Sequence, residues 1–195
     1  MGEQIVSFSI KNLAGMKSEI FDAQIFSALS LCWDNCAQLG GEMKNRFDDN
    51  TILWEDITRF LIIIDEAHKI INTNKLTAVE QLTVFGREAR KYFGGLLFAS
   101  QNIRDYVPEG SRQEAIQQIK ILFELTQYKF VMQQDTGALK VLREVFDHQL
   151  TETELSQVPK FKEGQCILAI DGDRTIEFKI EITDEEKDHL FKGGA

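Results

Sequence analysis

Two adjacent carboxylates, Asp65 and Glu66, close a short apolar run at residues 60–65 (FLIIID). The run is rich in β-branched residues and is typical of a central parallel strand that is covered on both faces. Because open α/β folds bind ligands beyond the carboxyl ends of their strands, both carboxylates are expected at that edge. This is the Walker B arrangement, which predicts that Asp65 holds Mg²⁺ through water and Glu66 polarises the water attacking a γ-phosphate.

The acidic pair has an alternative interpretation, since Asp65 and Glu66 could simply cap the helix that follows. A second polar residue, Gln101, favours a catalytic role for the pair over a capping role. The apolar run at residues 95–100 (GLLFAS) follows the next helix and is succeeded by Gln101. The Gln101 amide is therefore expected at the same sheet edge, within reach of a γ-phosphate or the attacking water. By itself, Gln101 fits an ordinary polar position equally well.

Three basic residues, Arg87, Arg90 and Lys91, lie near the helix end between these two runs. Positive charge there interacts favourably with the helix dipole, and this explanation suffices for Arg87 and Lys91. In ring-shaped ATPases such an arginine reaches the γ-phosphate of a neighbouring subunit. For Arg90 the two explanations are balanced.

Residues 65–68 also spell DEAH, the box of a helicase superfamily. Those helicases follow the box with a strand that ends in Ser-Ala-Thr, whereas this strand ends at residues 99–101 as Ala-Ser-Gln, and no second RecA-like lobe fits the remaining length. A zinc hydrolase would need a second histidine at helical spacing from His68, and His148 and His189 stand alone. All three histidines are interpreted as surface or packing residues.

The chain has no phosphate-binding loop of the GxxxxGK[ST] type, because none of its 13 glycines is followed by lysine. The backbone nest and the lysine that hold the β- and γ-phosphates are therefore missing. The chain alone is not expected to hydrolyse ATP, and the missing half is expected before Met1 in a longer parent or on another chain. A complete hydrolase of another kind, using Asp65, Glu66 and His68, would instead show metal-dependent activity in the isolated chain.

Composition limits the partners and the compartment. The 195 residues fit one domain spanning 1–195, and no linker or repeat divides them. The formal charge of −9 comes from scattered acids without a basic stripe, so direct binding of nucleic acid is not expected. An odd number of cysteines and no apolar leader predict a cytoplasmic protein. Its apolar runs are too short to span a bilayer, so partners would bring it to a membrane.

Strands and helices alternate along the chain. The predicted strands are 5–10, 60–65, 95–100, 128–132, 165–170 and 175–182, and the predicted helices are 18–39, 77–94, 111–125, 135–146 and 151–158. Gly40-Gly41 is expected to stop the first helix, and capping boxes are expected at Thr77-Glu80 and Ser111-Glu114. The predicted fold is α/β, with a RecA-like, mostly parallel sheet flanked by helices and a C-terminal antiparallel β-hairpin. It would form a partial P-loop NTPase core.

Several segments together resemble a known family. Val6 to Ile10, Phe21 to Gln24 and Trp33 come first, then FLIIIDEAHKII at 60–71 and GREARKYFGGLLFASQNI at 86–103. They resemble the carboxyl-terminal part of the conjugative-transfer and type IV secretion ATPases of the TraC/TraE/TrbE type, within the HerA–FtsK superfamily. The likeness extends from about residue 4 to residue 191.

The resemblance implies a homo-hexameric motor at the cytoplasmic face of a conjugation or secretion channel, with ATP and Mg²⁺ bound in the complete protein. It implies Asp65 for Mg²⁺, Glu66 for water activation, Gln101 as γ-phosphate sensor, and Arg87 or Arg90 as the finger between subunits. The chain departs from the family by lacking the phosphate loop and the amino-terminal domain that contacts the channel. The alternative is a non-catalytic interaction module that keeps the fold and binds channel subunits.

Overall fold

A computed structural model of the chain describes residues 4–13, 15–146, 149–172 and 174–190. His148, and Asp173 in the predicted hairpin turn, lie outside these ranges. The chain divides into two compact units, Met1–Leu125 and Thr126–Ala195. The single domain over residues 1–195 stays a prediction, and each unit is described by itself.

The first unit is built around a pair of parallel strands. Its elements are α1 (Ser18–Asp48), β1 (Phe60–Ile64), α2 (Leu76–Glu88), β2 (Gly94–Phe98) and α3 (Gln113–Glu124). β1 and β2 pair in parallel, in a register that runs from Phe60 opposite Gly94 to Ile64 opposite Phe98. α2 connects the two strands as the crossover that a parallel pair needs.

The described residues of this unit cover only one face of β1. Ile62 and Ile64 are buried, whereas Leu61 and Ile63 are 57% and 65% exposed. Leu97 in β2 is also exposed. The expectation that the strand would be covered on both faces is therefore wrong for these residues, because the helices pack against a single side.

Helix α1 continues past the two glycines that were expected to end it. It runs to Asp48, and Gly40 is buried within it. A Cβ atom on Gly40 would lie 2.1 Å from the carbonyl oxygen of Tyr92, whereas one on Gly41 would meet nothing within 4 Å. Gly40 therefore allows the close approach of the turn Ala89–Tyr92, and the predicted stop is wrong.

Three local predictions in this unit are also wrong. Residues 5–10 are described and contain no strand. α2 begins at Leu76 after Lys75, and α3 begins at Gln113 after Arg112, each without a side-chain cap. The Ser111 hydroxyl donates instead to the carbonyl of Pro108 at 2.6 Å, so a turn before the helix uses the expected capping group.

The second unit contains an antiparallel sheet and short helices. Its elements are β3 (Tyr128–Val131), α4 (Leu139–Phe146), α5 (Glu152–Gln157), β4 (Gln165–Ile170), β5 (Thr175–Lys179) and α6 (Asp184–His189). The strand order is β3-β4-β5, with both pairs antiparallel. The α/β class and the C-terminal hairpin are confirmed. The described strands form two sheets, the parallel pair β1-β2 and the antiparallel set β3-β4-β5, rather than one mostly parallel sheet.

Among the described residues, no helix is both long enough and apolar enough to cross a membrane.

Candidate functional site

The chain segments beyond β1 and β2 stay paired after the strands end. The Ala99 N–H donates to the carbonyl of Ile64 at 3.0 Å, and the Ala67 N–H donates to the carbonyl of Ala99 at 2.8 Å. These two bonds hold residues 65–68 beside residues 99–101. The carboxyl ends of the two strands therefore present one group of polar side chains, as the sequence predicted.

Glu66 and Gln101 meet at this edge. The Gln101 Nε2 donates a hydrogen bond of 2.8 Å to Glu66 Oε1. The expectation that the amide would lie at the same edge as the acids is confirmed by this contact. The chemical roles of the two residues stay predictions.

The backbone of Glu66 adopts the left-handed conformation, with φ 50° and ψ 42°. Its N–H receives support from the preceding side chain, because Asp65 Oδ1 accepts from it at 2.9 Å. A residue with a Cβ atom in this region costs about 1–2 kcal/mol. Such strain concentrates at functional sites, where the surroundings hold it in place.

Asp65 fits the predicted Mg²⁺ role by its place and its exposure. Its carboxylate is exposed at the carboxyl end of β1, and only Oδ1 is used by the Glu66 N–H. Mg²⁺ in nucleotide sites keeps several waters and takes one or two protein carboxylates with the substrate phosphates. In the part of the chain that is described, no group of three His, Cys, Asp or Glu residues could enclose a metal. The Mg²⁺ role of Asp65 stays a prediction.

His68 and Ser100 also lie at this edge. His68 was named with Asp65 and Glu66 in the alternative hydrolase, but its contact with Ser100 was not predicted. His68 Nδ1 lies 2.8 Å from Ser100 Oγ and 3.6 Å from Glu66 Oε2. His68 is partly buried and packs into this edge, which agrees with its interpretation as a packing residue; a chemical role is not tested by these contacts. Its presence in the DEAH spelling, beside a strand that ends in Ala-Ser-Gln, was a signal that could have paired it with Ser100.

A buried tyrosine supports Ser100 from the interior. Tyr106 forms a side-chain hydrogen bond with Ser100. Burial raises the pKa of Tyr106 well above its ordinary value, and the hydrogen bond with Ser100 offsets only part of that rise. The phenol ring packs edge-to-face on Phe98 and Phe123, at centroid distances of 6.3 and 5.2 Å. Ser100 is therefore tied to the core of the unit.

The structure does not bring Arg87 or Arg90 to the carboxylate edge. Arg87 lies in the last turn of α2, and Arg90 in the turn Ala89–Tyr92, directly before β2. β2 has five residues, which at about 3.3 Å each separate its two ends by about 17 Å. Both arginines are exposed. Within one copy of this unit they face the amino end of the strand pair, and their role as fingers stays a prediction.

A cavity of about 420 Å³ in this unit lies away from the acidic pair. It lies between α1 and α2, and its lining is mostly apolar, including Phe26, Trp33 and Phe85. None of Asp65, Glu66 or Gln101 lines it. The cavity and the polar side chains at the strand ends are therefore in different places.

No family model matches the chain. An uncharacterized protein from Bacillus anthracis is 33% identical over 192 residues, which cover 98% of this chain and 30% of that protein. The solved structure of VirB4 from Thermoanaerobacter pseudethanolicus matches 93% of this chain and 43% of its own, with a TM-score of 0.67 and 22% identity. The chain spans less than half the length of either match. It has a VirB4-like fold, which agrees with the family resemblance at the level of fold.

Proposed function

We propose that this chain is the carboxyl-terminal part of an ATPase that powers conjugative transfer or type IV secretion. The observation that carries the proposal is the Glu66–Gln101 hydrogen bond at the carboxyl end of a parallel strand pair. This edge is where α/β folds of this class bind nucleotides, and the VirB4-like fold supports the same class of protein.

Each residue at the edge has a proposed task. Asp65 binds the hydrated Mg²⁺ that accompanies ATP, and this ion neutralises charge on the β- and γ-phosphate oxygens when it is bound. Glu66 accepts a hydrogen bond from the attacking water and orients it towards the γ-phosphate. Gln101 directs its amide towards the γ-phosphate or the same water. Orientation of this kind supplies much of the rate in phosphoryl transfer.

The phosphate loop has to come from outside these 195 residues, since no GxxxxGK[ST] sequence occurs in them. The uncovered face of the strand pair supports this part of the proposal. Leu61, Ile63 and Leu97 are between 48% and 65% exposed there, although parallel sheets are normally covered on both faces. We propose that the segment with the phosphate loop packs on this face.

Arg87 and Arg90 are proposed to act towards a neighbouring copy in a homo-hexamer. Their exposure and their position at the amino end of β2 support a role between subunits, because they lie far from the acids of their own unit. The motor is proposed to work at the cytoplasmic face of a membrane through channel subunits. The acidic composition disfavours direct contact with nucleic acid.

The test uses a longer protein that joins this chain to its phosphate loop. Glu66→Gln should lower the ATPase kcat by about 10²–10⁴-fold while ATP binding persists, since loss of a general base removes about that factor. Glu109→Gln, at an exposed loop carboxylate, is the matched control and should keep wild-type turnover. Wild-type turnover in the Glu66→Gln protein would overturn the proposal. The isolated chain should show no ATPase activity.

A second candidate is a non-catalytic module that binds channel subunits through the same fold. The absence of a phosphate loop from the sequence favours it. The two candidates separate when a polypeptide with the phosphate loop is added in trans and MgATP binding is measured by calorimetry. Saturable binding that requires both pieces and is weakened by Asp65→Ala supports the ATPase. Complex formation without nucleotide binding supports the interaction module.

A further inference from the structure

His68 places one ring nitrogen between two groups of the proposed site. Its Nδ1 is 2.8 Å from Ser100 Oγ and 3.6 Å from Glu66 Oε2. The His68 and Glu66 side chains are only 23% and 30% exposed. The backbone of His68 is also held, because its carbonyl accepts from Asn72 Nδ2 at 2.7 Å. The ring therefore occupies a defined place.

Ser100 provides a fixed point for this ring. Its hydroxyl is hydrogen-bonded with Tyr106, whose side chain is buried against Phe123. The chain of contacts runs from the core of the unit through Ser100 and His68 to the Glu66 carboxylate. A side chain that is anchored in this way has a fixed position at the sheet edge relative to the core.

Two side chains lie beside the Glu66 carboxylate, one at each oxygen. Gln101 holds Oε1 at 2.8 Å, and His68 lies beside Oε2. In the proposed reaction, the Gln101 amide turns to the γ-phosphate or the attacking water. Glu66 then loses the Gln101 hydrogen bond at the moment when its orientation matters most. His68 remains beside Oε2.

We propose that His68 is a positioning residue that holds the Glu66 carboxylate in a fixed relation to Ser100, so that Glu66 stays oriented when Gln101 engages phosphate or water. The inference rests on the proposed role of Glu66. It concerns Nδ1 specifically, because this atom makes both close approaches.

Amide substitutions separate the role of Nδ1 from mere packing of the ring. An asparagine amide falls near the place of Nδ1, whereas a glutamine amide reaches towards Nε2. His68→Asn should therefore preserve function, while His68→Gln and His68→Ala should not. Lys69→Ala, at an exposed position of the same turn, is the matched control.

The first measurement is made on the chain described above, without nucleotide. The side-chain ¹H–¹⁵N signals of Gln101 report its hydrogen bond with Glu66. They should move towards the positions of a free amide in His68→Ala and His68→Gln, and stay near the wild-type positions in His68→Asn and Lys69→Ala. Far-UV circular dichroism checks that each variant is folded.

The second measurement is ATPase turnover in the longer protein that contains the phosphate loop. A misplacement of about 1 Å costs up to roughly 100-fold in rate, so kcat should fall by about 10- to 100-fold in His68→Ala and His68→Gln. KM for MgATP should change little, because His68 is not placed against the nucleotide. His68→Asn should recover most of the lost rate.

Three results would overturn the inference. The first is a wild-type kcat in His68→Ala while Glu66→Gln is inactive. The second is an equal loss of kcat in His68→Asn and His68→Gln. The third is that the Gln101 signals do not move in any folded variant. The first of these leaves the proposed function intact. If Glu66→Gln itself keeps full turnover, the proposed function fails, and the proposed role of His68 fails with it. The Gln101 signals then report only whether His68 holds the carboxylate.

Discussion

The Gln101 amide donates to Glu66 Oε1 at 2.8 Å and so joins two residues that are 35 positions apart in the chain. The two side chains follow parallel strands whose ends are tied by backbone hydrogen bonds from Ala67 and Ala99. An amide in this place can hold the carboxylate when no phosphate is present, and it can turn towards a phosphate when one arrives. Its contribution should therefore appear in turnover.

Removal of the Gln101 amide should slow the reaction without abolishing nucleotide binding. In the longer protein with its phosphate loop, Gln101→Leu keeps most of the side-chain volume but has no donor. We expect kcat to fall by about 10²-fold, as for the loss of one preorganised hydrogen-bond donor. Gln133→Leu is the control, because that residue is exposed and its amide makes a long contact of 3.5 Å to the carbonyl of Pro159. Wild-type kcat in Gln101→Leu would contradict the sensor role.

Because the backbone of Glu66 is left-handed, we expect Glu66→Gly to be more stable than Glu66→Ala, the reverse of the order at ordinary helical positions. Glu66→Ala and Glu66→Gly both remove the carboxylate, but only glycine adopts φ 50° without a steric cost. The cost of about 1–2 kcal/mol is partly offset by the greater freedom of glycine in the unfolded chain. We expect the glycine variant to be more stable by about 0.5–1 kcal/mol in urea unfolding.

Lys69 provides the matched comparison for this measurement. It lies two residues beyond Ala67 in the same turn and is not among the residues with positive φ. There, Lys69→Ala should be more stable than Lys69→Gly, as at ordinary helical positions. The same preference at both positions would show that Glu66 is not strained in solution.

The sequence predicted the carboxylate edge because each part of it rests on a local rule. An apolar β-branched run predicts a buried strand, and the polar residue that follows must lie at the strand end. Two such runs joined by a helix predict a parallel pair, so Glu66 and Gln101 were expected together. The contact of His68 with Ser100 was not predicted, because His68 lies in the turn Ala67–Lys69, where the path of the turn rather than the direction of β1 sets its position.

Other features depend on contacts between distant segments, which no local rule includes. Glycine often marks the end of a helix, but Gly40 lies inside α1, where the absence of a side chain allows the close approach of Tyr92. β3 has the pattern of a strand, yet its antiparallel pairing with β4 depends on the path of the intervening helices. The arginines were correctly assigned to a helix end, but their distance from the acids follows from the direction of β2.

The two glycines of α1 should respond in opposite directions to the same substitution. Gly40→Ala places a methyl group 2.1 Å from the Tyr92 carbonyl oxygen, which forces α1 away from the turn Ala89–Tyr92. Overpacking of this kind costs about 1–3 kcal/mol or more. Gly41→Ala meets nothing within 4 Å and should stabilise the helix by about 0.5–1 kcal/mol. Urea unfolding followed by circular dichroism measures both changes, and stabilisation by Gly40→Ala would contradict the close approach.

Glu154 should make the second unit sensitive to acid. Burial raises the pKa of this carboxyl, but hydrogen bonds from Thr175 and Thr151 outweigh burial and hold the pKa below its ordinary value of 4.5. A lowered pKa in the folded state gives stability that is present above pH 4.5 and is lost as the pH falls through the folded value. The protection of buried β4 amides, such as that of Ile167, against hydrogen exchange should therefore decrease with falling pH in this range.

The Thr175 hydroxyl tests this origin of the acid sensitivity. It donates to Glu154 Oε1, so Thr175→Val removes a bond that favours the charged carboxylate and moves its pKa back up. Relative to the wild type, the variant should lose Ile167 protection at neutral pH, and the difference should shrink as the pH falls below 4.5. Thr175→Ser keeps a donor and should follow the wild-type profile. A constant difference between Thr175→Val and the wild type across this range would mean that the methyl and hydroxyl groups act through packing alone.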